Sequence, residues 1–147
     1  MESLNLKRTM YLTEDEIRDN AKVILGFDEK DPDVKQGTGQ ITTFNQLGFK
    51  GVSDKPDGWY LPNDKQDIAI ILETKSEKED VFSEKHYAEL VKNIEIAALQ
   101  YKRVVGILYN GTDVRVIKYI KGSEQYEEIA DVAKTLQNKR YYIALFK

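Results

Sequence analysis

Cysteine is absent from this 147-residue chain, which excludes disulfide bonds and every metal site that depends on thiolate ligands. Histidine occurs once, as His86, so a multi-histidine zinc site is also excluded. No apolar stretch approaches the roughly 20 residues that span a bilayer, and residues 1–4 lack the basic and apolar regions of a signal peptide. These absences predict a cytoplasmic protein without a membrane segment, in which oxygen atoms would hold any metal.

The chain also has no excess of positive charge, since it contains 22 Lys and Arg residues and 25 Asp and Glu residues, which gives a net charge of −3. This balance argues against a protein that coats nucleic acid through bulk electrostatics, so any contact with DNA must be local. The length and a hydrophobic fraction of 41% are ordinary for one domain with a core. We therefore expect a single domain over residues 1–147.

Three segments have helical features. Thr13 is a credible N-cap and Glu16 completes a capping box, which predicts a first helix that ends at Gly26. A second helix is predicted from an apolar stripe at helical spacing, formed by Tyr87, Leu90, Val91, Ile94, Ala97, Ala98 and Tyr101. A similar pattern indicates a third helix, formed by Ile129, Ala130, Val132, Ala133 and Leu136.

Strand features alternate with these helices. A short strand is expected around residues 41–44, in a region from 28 to 50 that otherwise has loop character. Residues 59–61 and 67–75 predict an antiparallel hairpin, and residues 104–109 and 114–119 predict a second one around Asn110-Gly111. The order of elements indicates an α/β fold of the α+β type, with a central mixed sheet flanked by helices.

The candidate site residues follow a β-branched apolar run, residues 68–72. Such a run is typical of a strand buried on both faces. Glu73, Thr74 and Lys75 follow directly, and alternation places Glu73 and Lys75 on the same face of the strand. Asp57 lies just before the neighbouring predicted strand, residues 59–61. If it converges with Glu73, the two carboxylates can hold a divalent cation of the Mg²⁺ type, with an ammonium group beside it.

Pro56-Asp57 followed by Glu73-Thr74-Lys75 resembles the signature of the PD-(D/E)XK nuclease superfamily. Within that superfamily, most of the chain is similar to the N-terminal nuclease domain of type I restriction enzyme subunits and of related restriction–methylation fusion proteins. The segments that carry this resemblance are Thr13-Glu14 opening a helix that ends Leu25-Gly26-Phe27, Lys55-Pro56-Asp57-Gly58, Ile70-Ile71-Leu72-Glu73-Thr74-Lys75, and Gly106-Ile107-Leu108-Tyr109-Asn110-Gly111. The resemblance implies a restriction-endonuclease-like core.

By the same resemblance, Asp57 and Glu73 are metal ligands, and the carbonyl of Thr74 is a third candidate. Lys75 would position or deprotonate the attacking water and offset charge on the phosphorus. The implied cofactor is Mg²⁺, which Mn²⁺ could replace.

The family also carries a carboxylate on its first helix, which falls on Glu14 or Glu16. We favour Glu14 as a metal ligand because Glu16 is engaged in the capping box, although both residues would also favour a helix N-terminus without binding metal. The chain departs from the family at the Gln-x-x-x-Tyr motif of the second helix, since Tyr101 follows Gln100 directly. Contacts made through that motif are therefore not expected here.

The resemblance implies a metal-dependent endonuclease domain of a restriction-modification system that hydrolyses double-stranded DNA. It also implies the N-terminal part of a longer protein, with translocase or methyltransferase and specificity domains or subunits as partners. The apolar segment 141–147 fits a chain that continues, or an additional packed element.

Two other functions remain open from the sequence. One is a catalytically inactive nuclease fold that binds DNA or protein, which would hold no metal at Asp57 and Glu73. The other is a general α/β domain in which Glu73 and Lys75 form a surface ion pair, because Glu-x-Lys occurs often by chance and Asp57-Gly58 is a common turn dipeptide. His86 and Trp59 have no independent functional signal, and Trp59 is expected to cover the core.

Overall fold

The computed structural model describes residues 11–123 and 125–146 of the chain. Residues 1–4, on which the signal-peptide prediction depends, lie outside these ranges. The helices are α1 (Glu14–Leu25), α2 (Glu84–Ala97) and α3 (Lys139–Ile143), and short 3₁₀ turns occur at Asn45–Leu47 and Ala144–Phe146. The strands are β1 (Val34–Thr38), β2 (Gly58–Pro62), β3 (Ala69–Thr74), β4 (Arg103–Tyr109), β5 (Val114–Ile120) and β6 (Gln125–Glu128).

The six strands form one sheet in the order β1-β2-β3-β4-β5-β6. Neighbouring strands are antiparallel except β3 and β4, which are parallel. A parallel pair needs a crossover connection, and α2 supplies it between β3 and β4. The α+β class with a mixed sheet is therefore confirmed, as are both predicted hairpins.

Helices cover both faces of the sheet. The first core cluster joins one face to α2 through Leu90, Ile94 and Ala97. The second cluster joins the opposite face to α1 and α3 and includes Ile17 and Tyr142. Alternate residues of β3 enter the two clusters, so this strand is buried on both faces, as its apolar run predicts.

The caps of α1 agree with the sequence. The amide of Glu16 donates to Thr13 Oγ1 at 3.2 Å, and the amide of Thr13 donates to Glu16 Oε1 at 3.1 Å, which completes the capping box. Gly26 ends the helix in the left-handed conformation, with φ at +80°. Since Glu16 is used in this cap, Glu14 and Asp15 are the first-turn carboxylates left for another role.

The first strand was predicted at the wrong place. It covers Val34–Thr38, in the segment with loop composition, and not residues 41–44. Gly37 pairs with Trp59 across the β1–β2 ladder, and a Cβ at Gly37 would lie 3.2 Å from the Trp59 ring. Trp59 is buried against this glycine, as expected for a residue that covers the core. The role of Gly37 is therefore to allow this close contact, and it does not form a turn.

The predicted third helix over residues 129–136 is also wrong. The Ile129 amide donates to the Val116 carbonyl at 3.0 Å, which continues the β5–β6 ladder. Farther along, the Ala133 and Gln137 amides donate to the hydroxyls of Tyr141 and Tyr142 at 2.8 and 3.0 Å. Because these partners satisfy the backbone outside a helix, the apolar side chains cover the sheet from an irregular segment, and the helix forms later at α3.

The alternative that the apolar C-terminal segment packs as an additional element is confirmed for residues 141–146. Tyr142 is fully buried, and the 3₁₀ turn that follows α3 contacts the same core cluster. Within the described residues, no helix is long and apolar enough to cross a membrane.

Candidate active site

At the end of β3, Glu73 and Lys75 lie on the face of the sheet that α2 covers. Ala69 and Ile71 belong to the cluster on the α2 side, and the alternation continues to Glu73, whose Oε2 accepts from Asn93 Nδ2 of α2 at 2.9 Å. Lys75 lies on that side too, with its Nζ 3.1 Å from Glu89 of the same helix. The predicted placement of Glu73 and Lys75 on one face is confirmed.

Asp57, directly before β2, lies against the end of β3. Its amide donates to Glu73 Oε2 at 3.4 Å, and its own Oδ2 accepts from the Thr74 amide at 2.8 Å. The next residue is Gly58, where a Cβ would lie 2.8 Å from Leu72 Cδ2, so a larger residue would separate the strands at this point. The fold therefore brings Asp57 and Glu73 together across 16 positions of sequence.

Burial makes this carboxylate pair costly to ionise. Glu73 is 7% exposed, and desolvation together with the charge of Asp57 raises its pKa to about 8, despite the hydrogen bonds from Asn93 and the Asp57 amide. Desolvation also raises the pKa of Asp57, against the effects of the Thr74 amide and of Arg18. Two adjacent carboxylates with raised pKa values are stabilised by a nearby cation.

Lys75 carries a fixed positive charge beside this pair. Desolvation lowers its pKa, but the hydrogen bond to Glu89 and the charges of Glu89, Glu73 and Glu14 outweigh that effect, so its pKa lies above the ordinary value. Glu89 Oε1 also lies 2.7 Å from His86 Nδ1, so one carboxylate oxygen contacts both side chains. The Lys75 amide donates to the Tyr109 carbonyl at 2.9 Å, which ties the end of β3 to β4.

Glu14 approaches the same region from α1. Its pKa is raised by burial and by the charge of Asp57, and its Oε2 lies 3.6 Å from Arg18 Nη1. Arg18 is 4% exposed, forms an ion pair with Asp15, and has Nη1 3.9 Å from Asp57 Oδ1. A buried guanidinium group therefore lies between the helix carboxylates and Asp57.

The chemistry of these donors fits a hard divalent cation. Asp57 and Glu73 supply carboxylate oxygens whose pKa values are raised by burial, and carboxylate oxygens are the ligands that a hard divalent cation prefers. In residues 11–123 and 125–146, no three His, Cys, Asp or Glu side chains are placed to hold one ion together. The donor set of Asp57, Glu73 and the Thr74 carbonyl stays a prediction, and so does the assignment of Glu14 as a further ligand.

Side chains that surround the carboxylates were missed by the sequence analysis, although a signal existed. His86 and Asn93 are polar, yet they fall three or four positions from Leu90 on the apolar stripe of α2, and both are buried. Glu89 is one position from the same stripe. Arg18 follows Ile17 on the buried side of α1. A buried polar residue within an apolar stripe needs a partner. Asn93 contacts Glu73 and Arg18 lies near Asp57, whereas His86 contacts Glu89, the residue that pairs with Lys75.

Comparison with known proteins adds no relative: no protein-family model, curated protein or solved structure matches the chain.

Proposed function

We propose that this domain is a Mg²⁺-dependent deoxyribonuclease with a restriction-endonuclease-like core, of the kind found in restriction-modification systems. The observation that carries the proposal is the contact of half-buried Asp57 with buried Glu73 at the end of β3, with Lys75 on the same face as Glu73 two residues later. A surface ion pair is a poorer account, since Glu73 is buried and Lys75 pairs with Glu89 of α2.

The proposed chemistry is hydrolysis of a phosphodiester by water. When bound, Mg²⁺ would neutralise a non-bridging phosphate oxygen and lower the pKa of a coordinated water. Asp57 and Glu73 would hold the ion, and the Thr74 carbonyl would complete the donor set. The burial of Glu73 limits the access of water to this pair, so its charges are screened less than charges at the surface and act more strongly on the reacting phosphate.

Lys75 would act as a charged hydrogen-bond donor. Its raised pKa favours a protonated ammonium, which can orient the attacking water and offset charge that accumulates on the phosphorus. The same raised pKa argues against Lys75 as the base that removes a proton from water. Glu89 is a positioning residue in this mechanism, because it fixes the ammonium group on the α2 side of the strand.

Partners of such a domain follow from its charge. A net charge of −3 gives little bulk attraction for duplex DNA, so another part that delivers the substrate would raise the rate above that of this domain alone. We propose translocase or methyltransferase and specificity domains or subunits for that role. Weak DNA binding without sequence preference by this chain is the corresponding expectation.

Cleavage of a supercoiled plasmid with Mg²⁺ or Mn²⁺ tests the proposal. Lys75→Ala should lower the rate by about a hundredfold, the usual loss when one preorganised charge-stabilising donor is removed. Lys30→Ala is the matched control, because Lys30 is an exposed lysine distant from β3 in sequence. Equal rates for the parent and Lys75→Ala, or no cleavage by the parent with either ion, would contradict the proposal and favour the inactive binding module.

A further inference from the structure

Three lysines gather at the end of the sheet opposite the carboxylate site. Lys65 precedes β3, Lys102 precedes β4, and Lys121 follows β5. Since β3 and β4 are parallel and β5 is antiparallel to β4, all three lie at the edge where β3 and β4 begin. Glu73 lies near the other end of β3, and six strand residues correspond to about 20 Å. The lysines are therefore separate from the carboxylate site.

These lysines line one pocket of about 310 Å³. Its lining residues are Lys65, Gln66, Gln100, Tyr101, Lys102 and Lys121. None of them carries a carboxylate, although the charge of nearby Asp67 contributes to the raised pKa of Tyr101. Hydrogen bonds hold the backbone and one side chain of the pocket in place. The Lys121 amide donates to the Lys102 carbonyl at 2.7 Å, and Gln100 Nε2 donates to the Gly48 carbonyl, outside the pocket, at 2.8 Å.

Lys65 is held in place by Tyr101. Its Nζ donates to the tyrosine hydroxyl oxygen at 3.1 Å and lies 4.7 Å from the ring centroid. Tyr101 is 1% exposed, and its hydroxyl donates to the Pro62 carbonyl, so the acceptor that binds Lys65 is itself fixed. The ammonium group is thus positioned before any ligand arrives, which lowers the entropic cost of binding.

The positive charge of this pocket has no acidic partner among the residues that the structure describes. Other lysines pair with carboxylates: Lys75 with Glu89, Lys92 with Asp54, and Lys139 with Glu29. Over residues 11–123 and 125–146, no such ion pair involves the lysines of the pocket. Burial and the charge of Lys35 lower the pKa of Lys65, as expected where ammonium groups repel each other.

We propose that the pocket formed by Lys65, Tyr101, Lys102 and Lys121 binds a phosphate group, carried either by a free phosphate ester or by a nucleic-acid backbone. Three lysines that line one concave site, one of them with its ammonium group held against Tyr101, match the charge and the oxygen acceptors of a phosphate. The proposal does not depend on the nuclease activity, because the pocket shares no residue with the carboxylate site.

Titration of the ¹⁵N-labelled protein with inorganic phosphate at low ionic strength tests the pocket directly. We expect saturable amide shifts centred on Gln100, Lys102 and Lys121. The double variant Lys102→Gln/Lys121→Gln should bind roughly tenfold more weakly, and it should fold normally because both side chains are exposed. The matched control is Lys30→Gln/Lys134→Gln, which removes the same charge from exposed sites and should change affinity less than about twofold.

A second arm identifies the source of the phosphate. If phosphate displaces a labelled DNA duplex from the parent, and the pocket variant binds that duplex more weakly than the control variant, the ligand is a nucleic-acid backbone. If phosphate saturates the pocket and the two double variants bind the duplex equally, the ligand is a free phosphate ester. Three results would overturn the proposal. They are the absence of saturable phosphate binding, amide shifts confined to other regions, and an equal loss of phosphate affinity in both double variants.

Discussion

Replacement of Glu73 by glutamine should stabilise the protein at alkaline pH. The pKa of Glu73 is about 8 in the fold against an ordinary 4.5, because burial and Asp57 oppose its charge. The folded state therefore binds the proton more tightly than the unfolded state does, and stability falls as the pH rises from 4.5 through 8. Below that window both states are protonated and the penalty disappears.

The size of the effect follows from the two pKa values. Their difference, about 3.5 at 1.36 kcal/mol per unit, sets an upper limit of about 5 kcal/mol. Because Glu73 also lines a pocket that admits water, solvent screens part of this cost and we expect about 2 kcal/mol. Glutamine keeps an oxygen that can accept from Asn93 Nδ2 and from the Asp57 amide, so neither of these two donors loses its acceptor.

Urea denaturation followed by circular dichroism measures the difference. Glu73→Gln should exceed the parent by about 2 kcal/mol near pH 8.5 and equal it near pH 4. Glu127→Gln, at an exposed position of β6, is the control and should differ from the parent by less than about 0.5 kcal/mol at both values. An unchanged or lower stability of Glu73→Gln at the alkaline pH would refute the account of Glu73 as a carboxyl with a raised pKa.

Two further substitutions test the packing around the site. Asn93→Leu removes the side-chain donor to Glu73 Oε2, so we expect the free energy of unfolding near pH 8, measured by urea denaturation, to fall by about 1 to 3 kcal/mol. An unchanged free energy of unfolding would mean that this hydrogen bond does not stabilise the fold. Gly106→Ala places a Cβ 2.5 Å from Ile94 Cδ1 and should cost about 2 kcal/mol by the same assay, because α2 must move away from β4. Gly39→Ala is its control, since the added Cβ would make only ordinary contacts, and equal effects of the two glycine variants would contradict this packing argument.

Local signals explain which elements could be predicted. The α1 boundaries depend on Thr13, Glu16 and Gly26, all close together in the chain, and the two hairpins depend on short turns. Asn110 illustrates this, because its Oδ1 accepts from the Thr112 and Asp113 amides within its own turn. Where neighbouring residues satisfy the backbone, the sequence pattern and the structure agree.

Distant partners explain the errors. Strand β1 forms because its backbone pairs with β2, 20 to 28 positions later. Residues 129–138 form no helix because the Val116 carbonyl and two tyrosine hydroxyls accept from three of their amides. The same limit applies at the site. The approach of Asp57 to Glu73 could be predicted from motif spacing, whereas the contacts of Asn93 and Arg18 require knowledge of which helix faces which side of β3.

Calorimetric titration with Mn²⁺ tests the central claim, that the Asp57–Glu73 pair is a site for a divalent cation. The parent should bind Mn²⁺, and Asp57→Asn should abolish binding, because an amide carries no charge and is a poorer ligand for a hard cation. Asp54→Asn makes the same change three positions earlier, at a residue that pairs with Lys92, and should retain the parental affinity. Unchanged Mn²⁺ binding by Asp57→Asn, or no binding by the parent, would contradict the claim.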